Sequence, residues 1–253
     1  MQNNIHKMIS SDNGLISNCG VVTNRYPEID EWRGVFLIGM TLYHSVLFYY
    51  LCHGEGSVIL NDYKWKIYQK LVASSFFFIS GICYSIQLYK PSSYIYIIIK
   101  CYPLVLCCIV VSSMSYYLHG MQHMVYFGIL HCILVCKILS KSIVRHKNVC
   151  LIIGILVILI SLNIKSPFFD TFLKFTGLGV LPNISFDFQP FFPYFGVFLL
   201  GSWLSHYITN ENITKISVTT VLNFLKLIGK NSLLYYMAHV PIIGFIVYLI
   251  CNH

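Results

Sequence analysis

Seven apolar blocks, most of them close to the ~20 residues that cross a bilayer core as a helix, constrain this chain more than any other feature. They run over roughly 32–52, 67–89, 93–117, 124–140, 147–163, 191–208 and 233–251, the fourth, fifth and sixth being short. Polar or helix-breaking stretches separate them: HGEG at 53–56, KPSS at 90–93, LHGMQH at 118–123, KSIVRHK at 141–147 and TNENIT at 209–214. Charged residues make up only 10% of the chain against 57% hydrophobic, whereas a soluble domain needs about a quarter charged. The sequence therefore predicts an all-α fold, a polytopic membrane helix bundle with about seven transmembrane helices.

The remaining composition follows from that frame. The net charge of +8 reflects asymmetric basic loops in a membrane protein, and nucleic-acid binding is excluded as its explanation. The first 28 residues are polar, with Ser10, Ser11, Asp12, Asn13 and Gly14 in a row. They hold no continuous apolar run of the signal-peptide kind, and 1–28 reads as a cytoplasmic tail ahead of a membrane domain over 29–253. With the N-terminus inside, eleven lysines and arginines face the cytoplasm: Lys7, Arg25, Arg33, Lys90, Lys137, Lys141, Arg145, Lys147, Lys215, Lys226 and Lys230. Five face outward (Lys64, Lys66, Lys70, Lys165 and Lys174), and Lys100 falls within the third block. The positive-inside bias predicts a cytoplasmic N-terminus and an external C-terminus. Of the ten cysteines, Cys83, Cys101, Cys107, Cys108, Cys132, Cys136, Cys150 and Cys251 lie in apolar blocks and no CxxC pair occurs, so they read as small packing residues. The stretch 164–190, IKSPFFDTFLKFTGLGVLPNISFDFQP, is too apolar for a free loop and is broken by prolines and glycines. It is expected either to fold back over the bundle from outside or to lie along the interface on aromatic anchors.

Ionisable and polar groups inside membrane spans are costly unless they face a partner or a cavity, and function is their default reading. Here they are His44, Lys100, His131, Asn231 and His239, with Arg33 and Asp187 at block edges. Arg33 and His44 are eleven residues apart, just over three helical turns, so they share a face about 16 Å apart along the axis. Asp30 precedes Arg33 by three residues, within ion-pair reach on a first helical turn. The ordinary role for Arg33 is that of a snorkelling boundary residue, and for His44 an interhelical hydrogen bond. His44, His131 and His239 fall at similar depth when the blocks alternate in direction. Their spacing does not support a metal site, and a proton-handling cavity is the better reading. For Asp187 the ordinary role is a helix N-terminal charge, and for Asn231-Ser232 a helix cap.

Taken together, these motifs resemble a known family. EIDEWRGVFLIGMTLYH at 28–44 is similar to the opening "ID-x-x-RG … H" of the transmembrane acyltransferases. These are the heparan-alpha-glucosaminide N-acetyltransferase-like proteins, their DUF1624-type bacterial relatives and the more distant acyltransferase-3 family. KLVASSFFFISGICYSIQL at 70–88, YFGILHCI at 126–133, DFQPFFPYFGVFLLG at 187–201 and LIGKNSLLYYMAHVP at 227–241 resemble the family's later signatures in the right order. The resemblance implies acyl transfer from cytosolic acetyl-CoA, or another acyl-CoA, to a glycan-type hydroxyl or amine on the far side of the membrane, with no metal. It implies Arg33, with Asn231 and Ser232, at the CoA end, and His44 as general base or transient acyl acceptor. His131, Asp187 and His239 join as catalytic-site candidates. The heparan-type members carry asparagine at the position of His44 and a histidine in the following loop, where this chain has His53 in CHGEG. Partners implied are the lipid bilayer, acyl-CoA and a polar acceptor; a homodimer is compatible with the reading. The competing expectations are a proton-coupled small-molecule transporter, disfavoured by the lack of internal duplication, and a catalytically inactive scaffold of the same family.

Overall fold

The computed structural model describes residues 26–88, 94–171, 173–180, 187–208 and 223–251. Residues 1–25 of the polar tail, with Lys7 and Arg25, lie outside the described residues, as do KPSS with Lys90 and TNENIT with Lys215. Among the described residues there are nine α-helices and no strand: α1 (Pro27–Cys52), α2 (Gly56–Asn61), α3 (Tyr63–Gln87), α4 (Tyr94–His123), α5 (Ile129–Ser140), α6 (Lys147–Asn163), α7 (Phe191–Ser205), α8 (Asn223–Lys230) and α9 (Ser232–Cys251). Helices α1, α3, α4 (to Leu118) and α9 are long and apolar enough to cross a membrane; α5, α6 and α7 are shorter apolar helices. The seven expected blocks thus map onto seven of the nine helices, and α2 and α8 are the short polar-edged additions.

Two packed units build the bundle. Helix α7 is its centre, with α3 and α6 laid against it, and Phe77, Phe198 and Leu199 are fully buried between them. Small residues permit the approach. A Cβ on Gly81 would overlap the Phe198 carbonyl, and one on Gly201 the Phe78 carbonyl. Ser202 at the same contact donates to the carbonyl oxygens of Gly81 and Phe198, each at 3.1 Å. This is the small-residue and hydroxyl chemistry by which helices associate where lipid supplies no hydrophobic drive.

The second unit is α1 with α8 and α9. Its apolar cluster is Leu37, Met40 and Ile228, flanked by Val72, Phe76, Tyr235 and Tyr236. Phe76 and Tyr236 also pack on the larger cluster, so they form the seam between the units. Helix α8 crosses the first turn of α1 so closely that a Cβ on Gly34 or Gly229 would overlap backbone of Leu225 or Asp30. At the opposite ends of α1 and α9, Cys52 and Cys251 form a disulfide with Cα atoms 6.6 Å apart. Cys251 therefore departs from the expected packing role. The pair joins chain positions 199 residues apart, a relation that spacing alone does not encode.

The fourth block divides differently from its hydropathy. Helix α5 begins only at Ile129, and 124–128 is non-helical. Gly120, at φ 73, breaks α4 just before this return. The freed backbone groups are satisfied locally: Ser112 Oγ donates to Val125 O at 2.7 Å, and Val125 N donates to Ser115 Oγ at 2.9 Å. Among the described residues of 164–190, Ser166 N bonds Leu178 O at 3.0 Å, and Leu178 is buried. Phe175 packs on Phe127, with ring centroids 5.4 Å apart. Phe175 and Leu178 thus lie against the bundle while Ile164, Phe168 and Val180 stay exposed; residues 172 and 181–186 lie outside the described set.

Two outcomes are expected. Gly81→Ala and Gly201→Ala each destabilise the detergent-solubilised protein by about 1–3 kcal/mol through overpacking, read as a fall in thermal midpoint. Gly244→Ala, whose Cβ would meet only Phe48 at 3.8 Å, leaves the midpoint nearly unchanged. In unfolded, non-reduced protein, Cys52→Ser adds one maleimide-reactive thiol by releasing Cys251, whereas an unpaired Cys52 predicts one fewer.

Candidate active site

The site is assembled where the seam between the two units meets the return at 124–128. From α1, His44 Nδ1 lies 3.0 Å from Met40 O. From α9, His239 Nδ1 lies 2.7 Å from Tyr236 O. Carbonyl oxygens only accept, so each Nδ1 carries the proton and each Nε2 is a lone pair in the neutral ring. His239 Nε2 stands 3.4 Å from His44 Nδ1, with ring centroids 5.0 Å apart, and so serves as a second acceptor for the His44 N–H. His44 keeps an uncommitted lone pair on Nε2. His239 is 4% exposed and His44 is half-buried.

Tyr236 connects this pair to the larger unit. Its carbonyl holds His239, and its hydroxyl donates to Asp187 Oδ2 at 2.8 Å. Asp187 was expected to serve its own following helix. Instead its carboxylate lies against Gly128 at the start of α5, where an anion meets the positive end of the helix. It does this from a left-handed backbone conformation, φ 51, which aspartate tolerates better than most residues. Gly128 makes room for it, since a Cβ there would meet Asp187 Oδ2 at 3.0 Å and Val125 Cγ1 at 2.8 Å. Gln189 N donates to Phe127 O at 3.2 Å and ties the two non-helical stretches together. Pro190 then caps α7, and Phe192 keeps extended angles before Pro193 enters the first regular turn.

His131, expected alongside the other histidines, sits in the first turn of α5 and touches neither His44 nor His239 among its hydrogen bonds. Ser112 Oγ spends its proton on Val125 O, so His131 Nε2 donates to that oxygen at 3.1 Å, and Nδ1 accepts from Gly128 N at 3.4 Å. Both ring nitrogens are committed to the turn. Arg33 lies at the other end of α1, its Nη1 2.9 Å from Asp30 Oδ1 as the spacing predicted. Asn231 is exposed and its side-chain amide donates to Leu227 O at 3.2 Å. It thereby caps the end of α8 rather than the start of α9. Asn231 and Ser232 are at the α8–α9 junction, which Gly229 seats against Asp30, and so share the Arg33 end. His53 is exposed at the far end of α1, with Nδ1 2.8 Å from Tyr49 O. Among the described residues no group of three histidine, cysteine or acidic side chains has metal-holding geometry.

Sequence reasoning passed over Tyr236, Ser112 and Gly128. Tyr236 had a readable signal: it precedes His239 by three residues on one helix face, inside the Y-x-x-H-x-P ending. Ser112 had none, because its partners come from beyond the α4–α5 return.

The family described as heparan-alpha-glucosaminide N-acetyltransferase, catalytic, matches residues 25–241, a span that takes in Arg33, the histidines, Asp187 and the α8–α9 junction. The chain belongs to this family. Comparison with curated proteins and with solved structures found no match. Membership in an acetyltransferase family and the apolar helices together identify an integral membrane protein of the transmembrane acetyltransferase type. For this family member, Tyr236→Phe is expected to lower stability by about 1.5–3 kcal/mol, the range for a hydrogen bond to a charged group. Asp187→Asn, which keeps an acceptor oxygen, costs less; thermal denaturation of both variants checks the order.

Proposed function

We propose that the protein transfers an acetyl, or related acyl, group from cytosolic acyl-CoA to a glycan-type hydroxyl or amine presented on the opposite side of the membrane. The observation that carries this reading is the His44–His239 contact, which leaves His44 with a free Nε2 lone pair inside the bundle. In the proposed reaction Nε2 takes the proton of the acceptor O–H or N–H as that atom attacks the thioester carbonyl. The tetrahedral adduct collapses, the C–S bond breaks, and the CoA thiolate leaves and recovers the proton from His44. The imidazolium formed in between keeps its Nδ1–H pointed at Met40 O and His239 Nε2, so His239 orients the base and spreads its charge. Asp187, held by Tyr236, adds a carboxylate near that charge. His131 acts as a positioning residue for the α5 turn.

Arg33, about 16 Å along α1 from His44, is assigned to the phosphates of the donor, with Asn231 and Ser232 at the same end. A donor extended along α1 then brings its thioester to His44 from the cytoplasm. The Cys52–Cys251 disulfide supports that orientation, because disulfides persist on the non-cytosolic side and this one joins the ends of α1 and α9 remote from Arg33.

Purified protein in lipid nanodiscs, given radiolabelled acetyl-CoA and a mixed amino-sugar and hydroxyl acceptor panel, is expected to form acetylated product. His44→Ala lowers the rate by about 10²–10⁴-fold, the usual worth of a general base, and His53→Ala leaves it within twofold or so. Wild-type activity in His44→Ala rules out the mechanism.

A further inference from the structure

At the Arg33 end of the bundle, α3, α4 and α5 enclose a cleft of about 60 Å³. Tyr84, Gln87, Tyr96, Lys100, Cys101 and Lys137 line it. Arg33, Lys100 and the thiols of Cys83 and Cys101 are among the groups that act electrostatically on Lys137. Arg33, which pairs with the carboxylate of Asp30 at 2.9 Å, also acts electrostatically on Cys83, the residue before Tyr84. Tyr84 is 5% exposed, and its hydroxyl has no hydrogen-bond partner among the described residues. Lys100 Nζ stands over the Tyr96 ring, 5.1 Å from its centroid.

These observations share one physical consequence. Ammonium groups gathered at a membrane edge repel each other and are expensive to desolvate. A buried hydroxyl without an acceptor adds to that cost. An anion with several acceptor oxygens, seated in the cleft, relieves all three at once. Carboxylates, with one plane of acceptors, meet two donors well; a tetrahedral phosphate meets donors arriving from three helices. Lysine suits phosphate as a mobile point charge.

We propose that this cleft is a phosphate-binding site, in which Lys137, Lys100 and the Tyr84 hydroxyl hold one phosphate group entering from the Arg33 end of the bundle. The volume admits a compact group and not a whole nucleotide, so the rest of the ligand lies outside it. Two sources carry that chemistry: a phosphate of the acyl donor, an assignment that rests on the acyl-CoA reading above, or the headgroup of an anionic phospholipid, which basic pockets between membrane helices also bind.

The test uses the full chain in nanodiscs, with Lys100→Gln, Lys137→Gln and Tyr84→Phe, and Lys137→Arg as the charge-retaining variant. Calorimetric binding of coenzyme A and of its 3′-dephospho form is measured in phosphatidylcholine discs. Retention of phosphatidylglycerol over phosphatidylcholine is measured in parallel by mass spectrometry of the intact complex. For whichever ligand occupies the site, each glutamine variant weakens binding about tenfold or more, Lys137→Arg restores most of it, and added salt narrows the difference. Dependence of coenzyme A binding on both lysines identifies a donor-phosphate site, and a further loss with the 3′-dephospho form assigns the group bound. Dependence of phosphatidylglycerol retention alone identifies a headgroup site. Lysine-dependent coenzyme A binding without any acetyl transfer leaves this site standing and removes the proposed function. Acetyl transfer with neither ligand sensitive to the lysines, or wild-type protein that binds neither, overturns the site.

Discussion

A polypeptide that leaves helical geometry inside a bilayer must satisfy its freed backbone groups from within the protein, and the centre of this molecule is built around one such departure. The return at 124–128 stops α4 and restarts the chain as α5 from a point within the bundle. Ser112 and Ser115 take up Val125, Gln189 takes up Phe127, His131 takes up Gly128, and the Asp187 carboxylate lies against Gly128 where α5 begins. Two of the polar residues that hydropathy marks as blemishes, His131 and Asp187, serve this return.

That requirement also explains how two helical units come to share a site. Asp187 is fixed by the return, and Tyr236 reaches it from α9. The same tyrosine presents its carbonyl to His239, which faces His44. One side chain and its own backbone thus relay the geometry of the larger unit to the histidine pair of the smaller one. The disulfide at one end of α1 and α9, and the close crossing of α8 at the other, hold those two helices in fixed register. The proposed base chemistry and the proposed phosphate cleft then occupy opposite ends of one assembly, as a donor stretched between them needs.

Much of this was legible beforehand. All seven blocks became helices, since stretches of that length and apolarity have few other ways to bury their backbone. Arg33 paired with Asp30 because three residues on a helix determine a neighbour whatever the fold. The histidine pair was legible only as a coincidence of depth: nothing in the spacing of residues 44 and 239 says that they touch, or that residue 131 stands apart with both nitrogens committed. Asp187 read as the cap of its own helix because proximity in sequence favours that; the left-handed turn it adopts sends it to α5 instead. Cys251 read as packing because its partner is at the far end of the chain.

By itself, the sequence determined what each segment does locally: which stretches become apolar helices and which family's motifs they carry. Those outcomes depend on hydropathy and on contacts within a turn or two. Only the tertiary structure decided which polar groups meet. It paired His44 with His239, set Asp187 between Tyr236 and the start of α5, and gathered Lys100 and Lys137 with Tyr84 around one cleft. Each of those meetings depends on helix crossing and on the closeness of approach at glycines, and long-range geometry of that kind leaves no periodic trace along the chain.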